Sequence, residues 1–301
     1  MSALCLAETV ACRRRPDPTF SQQGPMAAFT FSSQHRRPLP VRDADPHPIH
    51  AGKRFLVLGA TGGVGSETCA LLQAQGAAVF AADLSAEKIA QLSDTLNIPG
   101  ATVDIGSETE TAACVEAAIT ALGGLDGLVN CIGIAEHFAP LDTKRSQWQR
   151  TMEINVIGGY EAAALVAKHL IAAGRPGAMV NIASEAGKKG HSETMLAYSV
   201  SKAAVISLTR MLSEALATHD INVNCLCPGS IATPMLQDVA EQFADMTGGA
   251  QTDIFDSMIS TQMHCHVQPS EVAGAISFLL SDAALPIRGQ AINVDGGDTP
   301  Y

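Results

Sequence analysis

The sequence predicts an α/β fold, in which a doubly wound, Rossmann-type parallel sheet of about seven strands carries helices on both faces in a single domain. Three observations predict this fold. Short apolar segments alternate with amphipathic helical segments, a glycine-rich turn follows the first apolar segment, and an aspartate ends the second. Such alternation implies right-handed βαβ crossovers, and these place parallel strands in a sheet that is covered on both faces.

The predicted elements alternate from residue 55 onwards. Apolar runs predict strands at 55–58, 78–83, 101–103, 125–129, 178–182, 221–226 and 291–294. Helical periodicity predicts helices at 64–75, 85–96, 108–122, 146–173, 196–218 and 270–281. Residues 231–266 are Met-rich without a clear period, so we expect an irregular lid over a substrate.

Composition limits the partners. The 301 residues are 47% hydrophobic and carry a formal net charge of −11. This acidic excess argues against nucleic acid or an anionic membrane surface as partners, because both attract clustered Lys and Arg. No stretch reaches the roughly 20 apolar residues of a membrane span. We therefore expect a cytoplasmic protein whose eight scattered cysteines are reduced. We expect no metal site, because even His264-Cys265-His266 lacks a second ligand pair.

The first fifty residues differ from the rest of the chain. Residues 1–50 contain six Arg, no Lys and many Pro, with little hydrophobic periodicity. We expect a disordered extension, since such a segment buries too little surface to offset the entropy of ordering. A transit peptide and a dispensable upstream extension before Met26 are the alternatives. Residues 51–301 are then a single folded domain that includes the expected lid at 231–266.

A glycine-rich turn predicts a cofactor cradle. Residues 59–65 read Gly-Ala-Thr-Gly-Gly-Val-Gly and lie between the first strand and its helix. Glycines let the backbone turn sharply and approach a pyrophosphate, and the free N–H groups of the helix N-terminus attract the phosphates. Asp83 ends the second strand, where a carboxylate accepts hydrogen bonds from the adenosine ribose and repels a 2′-phosphate. With no Arg at residues 84 and 85, the sequence favours NAD over NADP. The alternative interpretation of Asp83 is a helix cap.

Tyr198 and Lys202 predict acid–base chemistry. They lie four residues apart at the start of a predicted helix, so their side chains share one face. A phenol with a pKa near 10 is a poor catalyst at neutral pH, and an adjacent ammonium lowers that pKa. A Tyr–Lys pair with this spacing is common by chance, so its weight depends on the surrounding motifs.

These motifs carry a family resemblance. From about residue 52 to 297 the chain resembles the short-chain dehydrogenase/reductase family in its compact single-domain form, with the motifs in the family's order. The segment Asn130-Cys131-Ile132-Gly133 stands where the family usually has Asn-Asn-Ala-Gly. The other motif residues are Gly59, Gly63 and Gly65 of the glycine loop, Asp104, Asn155, Ser184, Tyr198, Lys202, Pro228-Gly229 and Asn293-Val294-Asp295-Gly296-Gly297. Leu58, Cys131 and Ile132 depart from the usual pattern but touch no proton-transfer group.

The resemblance implies roles for four catalytic residues. Tyr198 exchanges a proton with the substrate oxygen, and Lys202 lowers its pKa and holds the nicotinamide ribose. Ser184 hydrogen-bonds the substrate oxygen, and Asn155 holds a water that links Lys202 to solvent.

The resemblance also implies the cofactor contacts, with Asn130 beside the ribose and Thr233 beside the carboxamide. The expected contact residues are Gly59, Thr61, Gly62, Gly63, Val64, Gly65, Asp83, Leu84, Asp104, Ile105, Asn130, Cys131, Gly133, Tyr198, Lys202, Pro228, Gly229, Ile231 and Thr233. The family further implies a homodimer or homotetramer, formed in part through the Ala-rich helix at 159–173.

The substrate side combines apolar and polar residues. The lid contributes seven large apolar side chains, Met235, Leu236, Phe243, Met246, Phe255, Met258 and Met263, of which about half are expected to be core. Polar candidates at Glu136, His137, Glu185 and His191 favour a polar secondary alcohol, although each also has a surface or structural interpretation.

Three functions follow in order of support. The first is an NAD(H)-dependent oxidoreductase acting on a small secondary alcohol or ketone. The second is a 3-oxoacyl-thioester reductase, which Asp83 and the acidic balance disfavour because such an enzyme normally uses NADPH and a basic docking patch. The third is a non-catalytic NAD(H)-binding sensor, which has no chemical need for all four catalytic residues.

Overall fold

Seven parallel strands form one sheet within residues 48–190 and 192–299, the part of the chain that this computed structural model describes. The strands are β1 (Arg54–Leu58), β2 (Ala78–Asp83), β3 (Gly100–Thr102), β4 (Gly127–Asn130), β5 (Gly177–Ile182), β6 (Ile221–Pro228) and β7 (Ala291–Val294). Their order is β3-β2-β1-β4-β5-β6-β7. The predicted Rossmann-type α/β fold is confirmed, and the order reverses direction between β1 and β4, where such sheets bind ligands.

The α-helices of the described residues connect these strands. They are α1 (Gly63–Ala74), α2 (Ala86–Leu96), α3 (Glu108–Leu122), α4 (Arg145–Met152), α5 (Gly158–Ala172), α6 (Leu196–Leu216), α7 (Pro234–Thr247), α8 (Gln251–Ser257) and α9 (Pro269–Leu280). Side chains alternate across each strand. Phe55 and Val57 pack in the core cluster that includes α1 and α9, and Leu56 and Leu58 pack in the cluster that includes α3 and α5. Both faces of the sheet are therefore covered.

The register of the central strands places their carboxyl ends side by side. Leu58 of β1 pairs with Asn130 of β4, and Asn130 pairs with Asn181 of β5. The loops that follow these strands therefore start at the same edge of the sheet. That edge carries the residues predicted to act on cofactor and substrate.

The predicted helix at 146–173 is interrupted. A π-helix at Glu153–Ile157 separates α4 from α5. The apolar period runs through the break, so the sequence carries no local signal for it. A π-helical turn commonly marks a functional site, because it redirects one side chain within a helix; here it contains Asn155.

The expected irregular lid at 231–266 is wrong in part, because α7 and α8 lie within it. Thr233 caps α7 by accepting a hydrogen bond from the Leu236 amide at 3.4 Å, and Pro234 occupies the first turn. Gly248 ends α7 with a φ of 75°. These are ordinary start and stop signals that the Met-rich composition obscured.

The described fold begins three residues before the predicted boundary. His50 is buried, and its Nε2 lies 3.1 Å from Ser277 Oγ. The expectation of disorder for the rest of the extension falls on residues 1–47, outside the described residues, and His191 lies outside them too. Among the described residues, no helix has the length and apolarity needed to span a membrane.

Candidate active site

A cleft of about 580 Å³ opens at the carboxyl edge of the sheet. Its walls are the loops that follow β1, β4, β5 and β6, together with the first turns of α1, α6 and α7. It lies at the switch point of the sheet, and it brings together most of the residues predicted from sequence.

The glycine loop forms one end of the cleft. Gly59 has a φ of 72°, and a Cβ there would lie 2.9 Å from the carbonyl carbon of Cys131. Gly65 faces the Gly59 carbonyl so closely that no side chain fits. Gly62 caps α1 without a side-chain hydrogen bond, and the first residues of α1, Gly63, Val64 and Gly65, line the cleft. Thr61 and Val64 line the same end, as predicted.

Asp83 lies at the same end, and its carboxylate is held in place by Thr61. Asp83 Oδ2 accepts hydrogen bonds from the Thr61 amide at 2.9 Å and from Thr61 Oγ1 at 2.7 Å. Lys88, in the first turn of α2, also lines this end and was missed by the sequence analysis. Its position five residues after Asp83 was the available signal. Leu84 is 69% exposed and does not line the cleft.

Besides Leu84, three predicted cofactor residues lie outside the cleft wall. Asn130 is buried, its Oδ1 accepts a hydrogen bond from the Ile132 amide at 3.1 Å, and its Nδ2 faces α5 at Gly159. Asn130 thus shapes the loop after β4, and its place beside the ribose stays a prediction.

The other two residues of this group follow β3. Asp104 is exposed and accepts a hydrogen bond from the Gly106 amide at 2.9 Å, and buried Ile105 packs against Gly158 of α5. Both therefore order the loop after β3. Cys131 and Gly133 do line the cleft, and their contact with the cofactor stays a prediction.

Ser184, Tyr198 and Lys202 line the cleft together. Ser184 follows β5, and its Oγ accepts a hydrogen bond from the Ala186 amide at 3.1 Å. Tyr198 and Lys202 lie one turn apart near the start of α6, with Lys202 Nζ 5.8 Å from the centre of the Tyr198 ring. Lys202 Nζ also donates to the Ile182 carbonyl at 2.9 Å. The side chains of an acid–base pair thus lie beside a hydroxyl group.

Burial is the largest influence on the pKa values of Tyr198 and Lys202. Burial raises the pKa of Tyr198 above its usual value, although a hydrogen bond with Ser184 lowers it, and the nearby Glu185 carboxylate raises that pKa further. Burial also lowers the pKa of Lys202 to about 8. The lowering of the Tyr198 pKa by Lys202 stays a prediction, because the ammonium here is engaged with the Ile182 carbonyl.

Asn155 lies outside the cleft wall and supports the site through its hydrogen bonds. It is 2% exposed and does not line the cleft. Its Oδ1 accepts from the Ile134 amide at 2.8 Å, and its Nδ2 donates to the Ile134 carbonyl at 3.0 Å and to Ser201 Oγ at 2.9 Å. The π-helix therefore connects the loop after β4 to the turn of α6 that carries Tyr198 and Lys202.

Comparisons with known proteins agree with this geometry. Residues 59–299 match the family model described as Enoyl-(Acyl carrier protein) reductase. The chain is 34% identical to the monensin polyketide synthase putative ketoacyl reductase of Streptomyces virginiae, over 80% of this chain and 95% of that protein. It is 35% identical to the cis-4-hydroxycyclohexanecarboxylate dehydrogenase of Sinomonas cyclohexanicum, over 81% of this chain and 95% of that protein. A solved structure of an actinorhodin polyketide ketoreductase variant with NADPH superposes with a TM-score of 0.79 at 32% identity, covering 83% of this chain and 98% of that chain.

The chain belongs to the short-chain dehydrogenase/reductase family. Membership makes it an oxidoreductase for ketone or alcohol substrates with a nicotinamide cofactor. The residues fit that cofactor, because the glycine-rich loop and the start of α1, which has no side-chain cap, suit a pyrophosphate, and the Asp83 carboxylate suits a ribose.

The remaining wall of this short-chain dehydrogenase/reductase faces the substrate. Pro228, Gly229, Ile231 and Thr233 line the cleft after β6, and their contact with the cofactor stays a prediction. Of the seven predicted apolar lid residues, four line it and three do not: Met235, Leu236, Phe243 and Met258 line the cleft, whereas Met246, Phe255 and Met263 do not.

Among the predicted polar candidates, His137 and Glu185 line the cleft. Glu136 instead lies 4.0 Å from Arg150 in an ion pair. Within residues 48–190 and 192–299, no group of three or more His, Cys, Asp or Glu side chains is arranged to hold a metal ion.

Proposed function

We propose that this protein is an NAD(H)-dependent dehydrogenase or reductase that interconverts a small secondary alcohol and its ketone, with Tyr198 as general acid and base. The observation that carries the proposal is the meeting of Ser184, Tyr198 and Lys202 in one cleft with the glycine loop. A hydroxyl, a phenol and an ammonium together handle a single proton at a substrate oxygen.

The bound nicotinamide supplies hydride exchange with the substrate carbon. The protein handles the proton. During alcohol oxidation, Tyr198 as phenolate accepts the hydroxyl proton, and during ketone reduction Tyr198 as phenol returns it. The Ser184 oxygen already accepts a hydrogen bond from the Ala186 amide, so its own proton is directed to the phenol or to the substrate oxygen.

Lys202 and Asn155 act on Tyr198 in different ways. The positive charge of Lys202 favours the phenolate, and the ammonium is available to ribose hydroxyls at the cleft wall. Asn155 is a positioning residue, because its amide fixes Ile134 and Ser201, whose Oγ in turn donates to the Tyr198 carbonyl at 2.7 Å.

The preference for NAD(H) rests on Asp83. Asp83 lines the cleft, and the two hydrogen bonds that Thr61 donates to Oδ2 fix the orientation of the carboxylate. A fixed negative charge at the end of the second strand attracts ribose hydroxyls and repels a 2′-phosphate. Lys88 favours the competing choice, because its exposed ammonium is within the same end of the cleft.

Reduction of a 3-oxoacyl thioester is the second candidate. Two observations favour it, namely the similarity to a putative ketoacyl reductase and the presence of Lys88 beside the site for the ribose. The net charge of −11 argues against it, since an acidic carrier protein docks on basic surface.

Cofactor kinetics test both proposals. Initial rates are measured with NAD and NADP on a panel of secondary alcohols, and with NADH and NADPH on ketones and on acetoacetyl-CoA. We expect kcat/KM for NAD to exceed that for NADP by about tenfold or more, since repulsion of a phosphate is the stronger effect. Asp83→Asn is expected to reduce this ratio, and Lys88→Met to leave NAD turnover unchanged.

Asp94→Asn is the matched control, because Asp94 is an exposed carboxylate on the same α2 helix. A wild-type preference for NADP that Lys88→Met abolishes would reverse the cofactor assignment. Turnover confined to acetoacetyl-CoA would instead favour the thioester reductase.

A homo-oligomer is the proposed assembly. Two helical faces expose large apolar side chains. Ile157 of the π-helix and Tyr160 of α5 lie on one side of their helix. Val200 and Met211 lie on one side of α6. A second copy of the chain covers these faces, since exposed apolar patches commonly mark interfaces. Light scattering tests this: Met211→Glu is expected to reduce the mass to that of a smaller species, while Met246→Glu, on exposed α7 surface, is not.

A further inference from the structure

A buried carboxylate lies directly beside the proposed catalytic serine. Glu185 follows Ser184 in the 3-10 turn Glu185–Gly187, its side chain is 5% exposed, and the residue lines the cleft. A buried carboxylate requires charged or hydrogen-bonding partners, because burial removes the water that would otherwise stabilise its charge. The partners that hold Glu185 therefore affect the charge next to the reacting groups.

Lys189 brings a positive charge to this carboxylate from four residues further along the chain. Its Nζ lies 2.9 Å from Glu185 Oε2, and the same ammonium donates to the Asp298 carbonyl at 3.1 Å. The Lys189 side chain is 28% exposed, so water screens the pair only in part. Lys189 does not line the cleft, and its contact with the site is through Glu185.

The C-terminal turn at residues 295–299 holds this ion pair in place. Thr299 Oγ1 donates to Glu185 Oε2 at 3.3 Å, and the Thr299 amide donates to Asp295 Oδ2 at 2.8 Å. Asp295 is buried, and a Cβ on Gly229 of the cleft wall would lie 2.9 Å from Asp295 Cβ. The turn therefore packs against the cleft wall and fixes the carboxylate from the side opposite the cleft opening.

Several titratable groups act on the Tyr198 phenol. In the described part of the chain they are Ser184 of the loop after β5, Glu185 of the 3-10 turn, Cys227 of β6 and Lys202 of α6 itself. Burial raises the pKa of Tyr198 most, the hydrogen bond with the serine lowers it, and the carboxylate and the thiol raise it. A cation paired with the carboxylate opposes its effect on the phenolate, because opposite charges cancel at the distance of the phenol.

We propose that Lys189 is a positioning residue for the acid–base chemistry, in that it neutralises Glu185 and holds this carboxylate on the C-terminal turn, so that the negative charge does not oppose formation of the Tyr198 phenolate. The pair Glu185–Lys189 thereby sets the pH range in which the alcohol is oxidised. This inference rests on the proposed oxidoreductase function with Tyr198 as general acid and base.

The pH profile of alcohol oxidation tests the proposal. Lys189→Met removes the ammonium and keeps the apolar part of the side chain, so the rising limb of kcat/KM against pH is expected to move up by about half a pH unit or more. Lys189→Gln keeps a hydrogen-bond donor without the charge, which protects the fold, and is expected to move the limb in the same direction. Lys189→Arg restores the charge and is expected to return the limb towards wild type. An unmoved limb in Lys189→Gln, or an equal shift in Lys189→Arg, overturns the proposal.

A double variant shows whether Lys189 acts through Glu185. The carboxylate is absent from Glu185→Gln, so the addition of Lys189→Met is expected to leave the limb where Glu185→Gln alone places it. This double variant leaves no unpaired charge at the buried position, which favours folding. A further upward shift in the double variant would mean that Lys189 acts on Tyr198 directly, and it overturns the proposal.

Lys53→Met is the matched control, because Lys53 belongs to an ion pair outside the cleft. Its Nζ lies 3.8 Å from the exposed Asp282 carboxylate. The pH profile of Lys53→Met is expected to coincide with that of wild type. A shift equal to that of Lys189→Met would show that loss of any surface cation has this effect, and it overturns the proposal.

Absorbance of the phenolate gives a readout that does not depend on turnover. The alkaline titration of the NAD-bound protein, minus that of Tyr198→Phe, isolates Tyr198. Its midpoint is expected to be higher in Lys189→Gln than in wild type, and an unmoved midpoint overturns the proposal. Failure of the oxidoreductase function looks different, because wild type would then turn over no alcohol or ketone with either cofactor, or Tyr198→Phe would retain full activity, whatever the midpoint.

Discussion

Gly133 and Lys202 are in such close contact that a Cβ atom on Gly133 would lie 2.9 Å from Lys202 Nζ. The same Cβ would lie 3.5 Å from Asn155 Oδ1. The loop after β4 therefore lies close against the ammonium. Its glycine connects the positioning residue Asn155 to the catalytic group.

Gly133→Ala is expected to displace the Lys202 ammonium. We predict that kcat/KM falls about tenfold to a hundredfold, because small misplacements of a catalytic group are costly. Steady-state kinetics and a thermal melt of the same preparation provide the measurement. The control is Gly274→Ala, since Gly274 is exposed in α9 with open space around it. That change is expected to leave kcat/KM intact and to raise stability by up to about 1 kcal/mol. The same kcat/KM for both variants would contradict the close contact between Gly133 and the catalytic Lys202 ammonium.

Glu185→Gln is expected to shift the pH profile of alcohol oxidation to lower pH. The pKa of Tyr198 is raised first by burial and further by the Glu185 carboxylate, so removal of that charge lowers it. Oxidation requires the phenolate, and the rising limb of kcat/KM against pH therefore moves down.

Glu193→Gln is the matched control, because Glu193 is exposed in the nearby 3-10 turn. Its pH profile is expected to match that of wild type. A shift to higher pH in Glu185→Gln, or the same shift in both variants, would refute the electrostatic account.

Asp126→Asn is expected to lower stability in a pH-dependent way. Burial by itself raises the pKa of Asp126, and hydrogen bonds from Arg54, at 2.9 Å from Nε, and from Arg175 outweigh burial and hold the pKa below its usual range. The carboxylate thus contributes stability above the unfolded pKa of about 3.9, and this contribution is lost as pH falls through the lower folded value. We predict a loss of about 3 kcal/mol at neutral pH by chemical denaturation, because both arginines lose a buried partner.

The control for this prediction is an exposed ion pair. Asp282 lies 3.8 Å from Lys53, and its side chain is 84% exposed. Asp282→Asn is expected to change the free energy of unfolding by no more than about 0.5 kcal/mol at any pH. If the free energies of unfolding of Asp126→Asn and wild type differ by the same amount at neutral and at strongly acid pH, the ion-pair explanation is wrong.

The sequence predicted the sheet because its signals are local. Apolar runs such as the one at 55–58, followed by glycines, identify strands and their turns without tertiary information. The π-helix at Glu153–Ile157 was missed because its cause is tertiary: Asn155 must reach both Ile134 and Ser201. The helices of the lid were missed although Thr233, Pro234 and Gly248 marked the limits of α7.

The site was predicted where side chains face the cleft, from a strand end or from the start of α6, and less well where they order loops. Ser184, Tyr198, Lys202 and Asp83 lie in the cleft, as motif spacing indicated. Asn130 does not, because its amide is used to hold the Ile132 backbone. Spacing identifies a motif but gives no information on which partners compete for a side chain.

The most direct test of the central claim compares Tyr198→Phe with Tyr160→Phe. Tyr160 is 47% exposed on α5, so the second variant removes a hydroxyl of the same kind away from the cleft. The initial rate of NAD reduction with the preferred alcohol is followed by absorbance of the reduced nicotinamide. We predict that Tyr198→Phe lowers kcat by about a hundredfold or more while NADH affinity stays within threefold or so of wild type, and that Tyr160→Phe retains full activity. Retained turnover in Tyr198→Phe would contradict the assignment of Tyr198 as the general acid and base.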